Sequence, residues 1–182
     1  MNLTYKGLLL ALLHVGIVSS LGVKLLYDRA YRPRVWIKSA PVDPNLPIRG
    51  RYLSLRIQVP AEGFQTRREF SPYQKDKDGK PLMVDFTVPN QCDLELRNGQ
   101  LTAIANPQGE FWGVSIRQTN TGMMADVPSQ TTYFLPEHAP DPSRLKPGEE
   151  LWIEATIPRK GPPRPIRLGI KKDGVLTPLH ID

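Results

Sequence analysis

A single cysteine, Cys92, leaves no partner within the chain, so no intrachain disulfide staples this protein and a cysteine zinc site is excluded. Asp93 beside it and Glu95 nearby disfavour a thiolate, so Cys92 reads as a small buried hydrophobe and not as a nucleophile. Histidine is nearly as scarce. His14, His138 and His180 are widely separated, and no pair has metal-ligand spacing. No cofactor, metal or catalytic residue is therefore expected. A recognised nucleic-acid motif is missing as well. The net charge of +6 and pI near 9.5 would suit a polyanion, but the basic residues are scattered. Beyond Arg34 they adjoin only at Arg67-Arg68, Arg159-Lys160 and Lys171-Lys172, which read as solvated surface, and no nucleic-acid partner is expected.

The chain also has only one long hydrophobic run. Residues 7–23 carry no formal charge, and Leu25, Leu26 and Tyr27 continue the run past Lys24. As a helix this stretch spans roughly 30 Å, enough to cross a bilayer core if Lys24 snorkels to the headgroups. Tyr27 then reads as an interfacial aromatic. A membrane anchor is the expected reading. The alternative is a cleaved signal peptide, with Lys6 as its charged leader and Val18 and Ser20 as the small residues of a cleavage site. Lys24, Arg29, Arg32 and Arg34 follow the run and by count would hold the remaining domain inside. Long domains translocate largely regardless of charge, however, and an N-terminal apolar segment is the usual export signal. Residues 1–34 are thus assigned as anchor and basic juxtamembrane linker, which touches anionic headgroups or is simply solvated. Residues 35–182 are assigned as one soluble β-rich domain, expected outside the cytoplasm.

Sustained 3.6-residue periodicity is absent from that domain, whereas period-two alternation recurs. The prolines, 19 in all, and 14 glycines favour short strands with many turns. Leu53, Leu55, Ile57 and Val59 share one face of a half-buried strand. Residues 82–88 and 92–96 read as strands parted by Pro89-Asn90, and Asn98-Gly99 supplies a tight turn to a partner at 101–105. Further strands are expected at 111–117, 131–135 and 151–157. A final hairpin, 166–170 with 175–181, turns at Asp173-Gly174. The expected fold is all-β, a sandwich or partly open barrel of about eight or nine short strands behind one N-terminal transmembrane helix. Residues 64–80, 120–130 and 138–149 read as loops, with no repeat and no low-complexity segment.

One stretch resembles a known signature. Asp43 and Pro44, then Gly50, Tyr52 and Leu55, are similar to the turn and named motif of the GDYXXLXY family of uncharacterised membrane-anchored proteins. Arg51 replaces that motif's aspartate and Ile57 its last tyrosine. Tyr133, Phe134, Pro136 and Glu137 resemble the family's downstream aromatic-Phe-Val-Pro-Glu element. The resemblance implies a helix followed by a strand, a membrane-associated accessory role beside a polytopic membrane protein, and no named chemistry. Read physically, the prolines hold the approach extended, Leu53 and Leu55 enter the core, and Tyr52 faces the other way. The motif is then a folding corner, and Tyr133 and Phe134 are core aromatics.

Two enzyme readings compete with this one. The stretch from Ser39 to Tyr52 is faintly similar to a signal-peptidase box that pairs serine with lysine. Lys38 adjoins Ser39, but neighbouring strand residues point to opposite faces. A hydrolase site assembled from Ser39, Glu137 and His138 is the alternative function, and it requires those side chains to share a cleft. Asp76, Asp78 and Gly79 resemble the start of a calcium loop but lack its central glycine and closing glutamate. The expected function is therefore a membrane-anchored, extracytoplasmic, non-catalytic β-domain that binds a membrane-protein or envelope partner.

Overall fold

A computed structural model describes residues 3–42 and 52–181, so the motif residues Asp43, Pro44 and Gly50 and the substituted Arg51 lie outside the described residues. The chain opens with helix α1 (Leu3–Tyr31) and is otherwise strands and turns. Residues Tyr5–Tyr31 of α1, with mean hydropathy 2.0, are long and apolar enough to cross a membrane, and their apolar window is not covered by the domain. The helix continues past Lys24 and Arg29 into the basic segment expected to be a linker and ends before Arg32. β1 (Arg34–Val42) begins three residues after α1 ends.

Two sheets meet at β2 (Tyr52–Glu62). β1 pairs antiparallel with it from Val42↔Ser54 to Lys38↔Gln58. After β3 (Gln65–Lys75) and β4 (Pro81–Val88), which among the described residues pair only with each other, come β5 (Gln91–Arg97), β6 (Gln100–Ala105), β7 (Phe111–Trp112), β8 (Ser115–Thr119) and β9 (Gly122–Phe134). β10 (Glu149–Thr156), β11 (Arg164–Lys172) and β12 (Val175–Pro178) complete the described strands. The larger antiparallel sheet runs β12-β11-β10-β1-β2-β9-β8. The smaller sheet, β6-β5-β7, joins β2 through the parallel pairs Ala61↔Ala103 and Glu62↔Ile104. β9 also approaches β11, its neighbour four strands away, so the larger sheet curls.

The core follows from the alternation. Val35 and Ile37 of β1, Leu53, Leu55, Ile57 and Val59 of β2, Ala125 and Val127 of β9, and Leu151, Ile153 and Ala155 of β10 are all buried on one face. Register places Ile37 opposite Ile153 and Ile57 opposite Val127. Cys92, Leu101 and Ala103 of the smaller sheet belong to the same buried cluster. Each large side chain so buried contributes roughly 1.5–3 kcal/mol. Both expected tight hairpins form. Asn98 and Gly99 have φ of 51° and 77°, and Asp173 and Gly174 have 49° and 83°, the positive angles a two-residue turn on twisted strands demands.

Twelve strands are present among the described residues, against the eight or nine expected. Residues 64–80 are mostly β3, and residues 120–130 open β9, which also absorbs the separate strand expected at 131–135. Gly113, with φ of 75°, breaks the strand expected at 111–117 into β7 and β8. β9 tolerates Pro128 because the register slips there. Arg56 alone stands opposite residues 128–130, between Leu55↔Thr131 and Ile57↔Val127, and a bulge spares proline from donating to the ladder.

Candidate functional site

The pairing of β2 with β9 brings the two halves of the sequence motif together, with Tyr52 opposite Phe134 and Leu53 opposite Tyr133. Leu55 lies in the core, and Tyr133 packs against it. Phe134 corrects the expectation of a core aromatic, for it is 79% exposed on the other face of β9. Tyr52 shares that face, as its position in the alternation requires, and its enclosed hydroxyl has no hydrogen-bond partner among the described residues. Pro136 and Glu137 follow in an exposed loop whose turn is closed by Ala139 N donating to Pro136 O at 3.2 Å.

The hydrolase candidates do not converge. Ser39 is buried on the core face, and its Oγ donates to Leu151 O at 3.2 Å, while Glu137 and His138 face solvent. A hydroxyl whose proton is committed to a ladder carbonyl inside the core is not a nucleophile poised beside a base. Asp76 shapes the β3–β4 turn, its Oδ1 accepting from the backbone N–H groups of Asp78 (2.9 Å) and Lys80 (2.8 Å).

On the outer face of the larger sheet lies an arrangement that alternation alone does not reveal. β1 and β2 stop pairing at Lys38↔Gln58, and their diverging ends, with Gln100 and Leu101 of β6, border a cavity of about 370 Å³. Trp36, Lys38, Met124, Trp152 and Lys171 line it. Lys38 stands directly opposite Trp152, so Trp36, two residues earlier on the same face, is its diagonal neighbour. The Trp36 ring reaches over β10 to Gly169 of β11, where an added Cβ would fall 2.8 Å from the ring. Arg167 sits over Trp36 at 5.5 Å and Lys171 over Trp152 at 4.6 Å, both within cation–π range.

Glu150 organises this face. It accepts from the Lys38 ammonium and from Trp152 Nε1 at 3.1 Å. Burial pushes its carboxyl pKa up, but these hydrogen bonds and the charges of Lys38 and Lys171 outweigh burial and hold it below the usual value. Farther along, Asp126 accepts from Gln58 Nε2 at 2.9 Å and from Arg117 Nη2. Each of these charges is held by a neighbour, so the face presents indole surface beside fixed cations. Lys171, expected to be merely solvated, belongs to it.

A second exposed arrangement is the β3–β4 hairpin. Phe70 stands opposite Met83, and toward the turn Tyr73 and Leu82 follow. Tyr73 is 92% exposed, and Phe70, Met83 and Leu82 are exposed with it. Among the described residues of both strands only Ser71 is buried. At the root, Ile116 N donates to Thr87 Oγ1 at 3.1 Å and ties the hairpin to β8. Two strands alone are marginal in water, and exposed apolar clusters mark interaction surfaces.

No family model matches this chain, and no curated protein and no solved structure matches it either.

Proposed function

We propose that this chain is a single-pass membrane protein whose β-domain lies outside the cytoplasm and acts as a non-catalytic accessory, docking a membrane-protein partner through the β3–β4 hairpin. The observation that carries the reading is the hairpin itself, which holds Phe70, Tyr73, Leu82 and Met83 in water on a two-stranded arm whose edges pair with no other strand among the described residues. A partner that covers the arm gives those side chains the burial the chain does not supply, and a strand added to either edge extends the ladder. The long, apolar and uncovered α1 supports anchoring beside such a partner. The resemblance to the GDYXXLXY family agrees with the same accessory role.

Protease accessibility of the domain in cells with a permeabilised outer barrier, together with carbonate extraction, tests the placement. Digestion with carbonate resistance is expected. Protection places the domain in the cytoplasm and overturns the extracytoplasmic reading, and release by carbonate overturns anchoring. Docking is tested by a photo-crosslinking residue at Tyr73, compared with one at Val175, which is exposed on β12. A discrete adduct with an integral membrane protein at position 73 alone is expected, and equal adducts at both positions refute it.

A further inference from the structure

The apolar run of α1 ends at Tyr27, and the next residue fastens the helix to the domain. Asp28 is only 6% exposed. Its Oδ2 accepts from Arg164 Nη1 at the start of β11 (2.8 Å), and its Oδ1 from Arg32 Nε one turn along the helix (3.3 Å). Ile157 N donates to Pro33 O at 3.0 Å, and Arg34 pairs with Thr156 in the ladder. The helix thus enters the sheet through a charge cluster and hydrogen bonds, with no free linker between them. Residues 7–27 make roughly 31 Å of helix, matching a hydrocarbon core of about 30 Å, so Asp28 falls at headgroup level when α1 spans the bilayer.

The clamp also fixes which part of the domain shares that level. β10 runs antiparallel to β1 and carries the chain back past Arg34 toward α1, and residues 157–163 turn there before Arg164 meets Asp28. Arg159 and Lys160 are exposed on this turn, as are Arg29 and Arg34 beside it. Within residues 24–34 and 157–164, Asp28 is the one acidic residue against seven lysines and arginines. Two of those, Arg32 and Arg164, already surround Asp28. Asp93, Glu95 and Glu110 line a cleft with Arg159 and Lys160, but Asp93 is held by Asn106 and the Glu110 N–H and Glu95 by Arg97, so the basic residues of these segments outnumber the acids beside them.

We propose that this basic collar, formed by the end of α1 and the β10–β11 turn, is a binding surface for anionic phospholipid headgroups that seats the β-domain on the bilayer in one orientation. The proposal rests on the reading that α1 spans a membrane. It goes beyond that reading because Arg159 and Lys160, far from the anchor in sequence, are assigned to the lipid surface by the fold. Juxtamembrane cations near an anionic surface each bias contact about fivefold, and salt weakens that bias.

The test uses the full chain carrying Pro162→Cys, an exposed position on the turn, labelled with an environment-sensitive fluorophore; native Cys92 is fully buried. The protein is placed in nanodiscs of phosphatidylcholine alone or with phosphatidylglycerol. Anionic discs are expected to give blue-shifted emission and reduced quenching by aqueous acrylamide, reversed by high salt. The double variant R159Q/K160Q is expected to lower the contact equilibrium about 25-fold. Equal emission and quenching in both discs, or a difference unchanged in the double variant, overturns the headgroup contact while leaving anchoring intact. Failure to co-elute with either disc overturns the membrane reading on which the proposal stands.

Discussion

Replacing Gly109 by alanine tests how the smaller sheet is assembled. Gly109 lies in the turn between β6 and β7, and its φ is not in the left-handed region, so the substitution acts through space and not through backbone strain. A Cβ there would lie 2.4 Å from both the carbonyl carbon and the oxygen of Cys92, and 2.8 Å from its Cα. These are backbone atoms of β5 and cannot rotate aside. Ordinary contact begins near 3.4 Å, so the turn would have to retreat by about 1 Å.

The turn is tied in place. Asn106 N donates to Gln91 O (3.1 Å), Glu110 N to Asp93 Oδ1 (3.0 Å), and Asn106 Nδ2 to Asp93 Oδ2 (2.6 Å). Overpacking costs about 1–3 kcal/mol, and losing one or two of these bonds adds about 0.5–1.5 kcal/mol each. The stiffer unfolded chain returns about 0.4–1 kcal/mol. Gly109→Ala should therefore destabilise by about 2–3 kcal/mol. Urea unfolding in detergent, followed by tryptophan fluorescence, reads this, because Trp112 of β7 stands opposite Gln91. Gly99→Ala is the comparison. Nothing lies within 4 Å of its Cβ position and its φ is 77°, so its cost is conformational alone, about 1–2 kcal/mol. A Gly109→Ala protein as stable as wild type, or more stable than Gly99→Ala, refutes the reasoning.

Two further predictions concern pH. Burial, with the charge of Asp93 adding to it, pushes the Cys92 thiol from 9.0 up to about 12. Because the folded value is the higher one, its contribution is complete below about pH 9 and is lost between 9 and 12 as the unfolded thiol ionises, at up to about 1.4 kcal/mol per pH unit. Cys92→Ala should remove that slope in unfolding measured across this range, and an unchanged slope would contradict it. Asp93 is held below its usual 3.8 by the Asn106 side chain and the Glu110 N–H, against the opposing push of burial. Its stabilisation is present above that value and lost as pH falls through the lower folded one, so Asn106→Ala should raise the Asp93 pKa in NMR titration and weaken the domain's resistance to acid, and an unmoved titration would count against it.

Much of the fold was legible because burial imposes a pattern. Leu53, Leu55, Ile57 and Val59 alternate because one face of β2 is core, and Asn98-Gly99 and Asp173-Gly174 mark turns because few other residues accept positive φ at both positions. β9 was half legible. Its Thr131–Phe134 end is aromatic and β-branched, but its first half carries Gly122, Asp126 and Pro128, turn-forming residues that read as loop until a bulge is allowed. β3 was not legible at all, since Ser71 alone is buried along it and so no apolar alternation was imposed on it.

The same physics explains why the candidate surfaces escaped the sequence. Trp36 and Trp152 are far apart in the chain, and only the register Lys38↔Trp152 places them together; the open position at Gly169 that admits the Trp36 ring lies on a third strand. Nor does the basic content of Arg159-Lys160 say that these residues belong beside α1, which follows only from β10 running back along β1 to Asp28 and Arg164. Sequence patterns record what the chain buries in itself. Phe70, Tyr73, Leu82 and Met83 follow no such pattern because no buried face among the described residues selects their spacing, and the partner proposed above is what would bury four large apolar side chains held on a two-stranded arm.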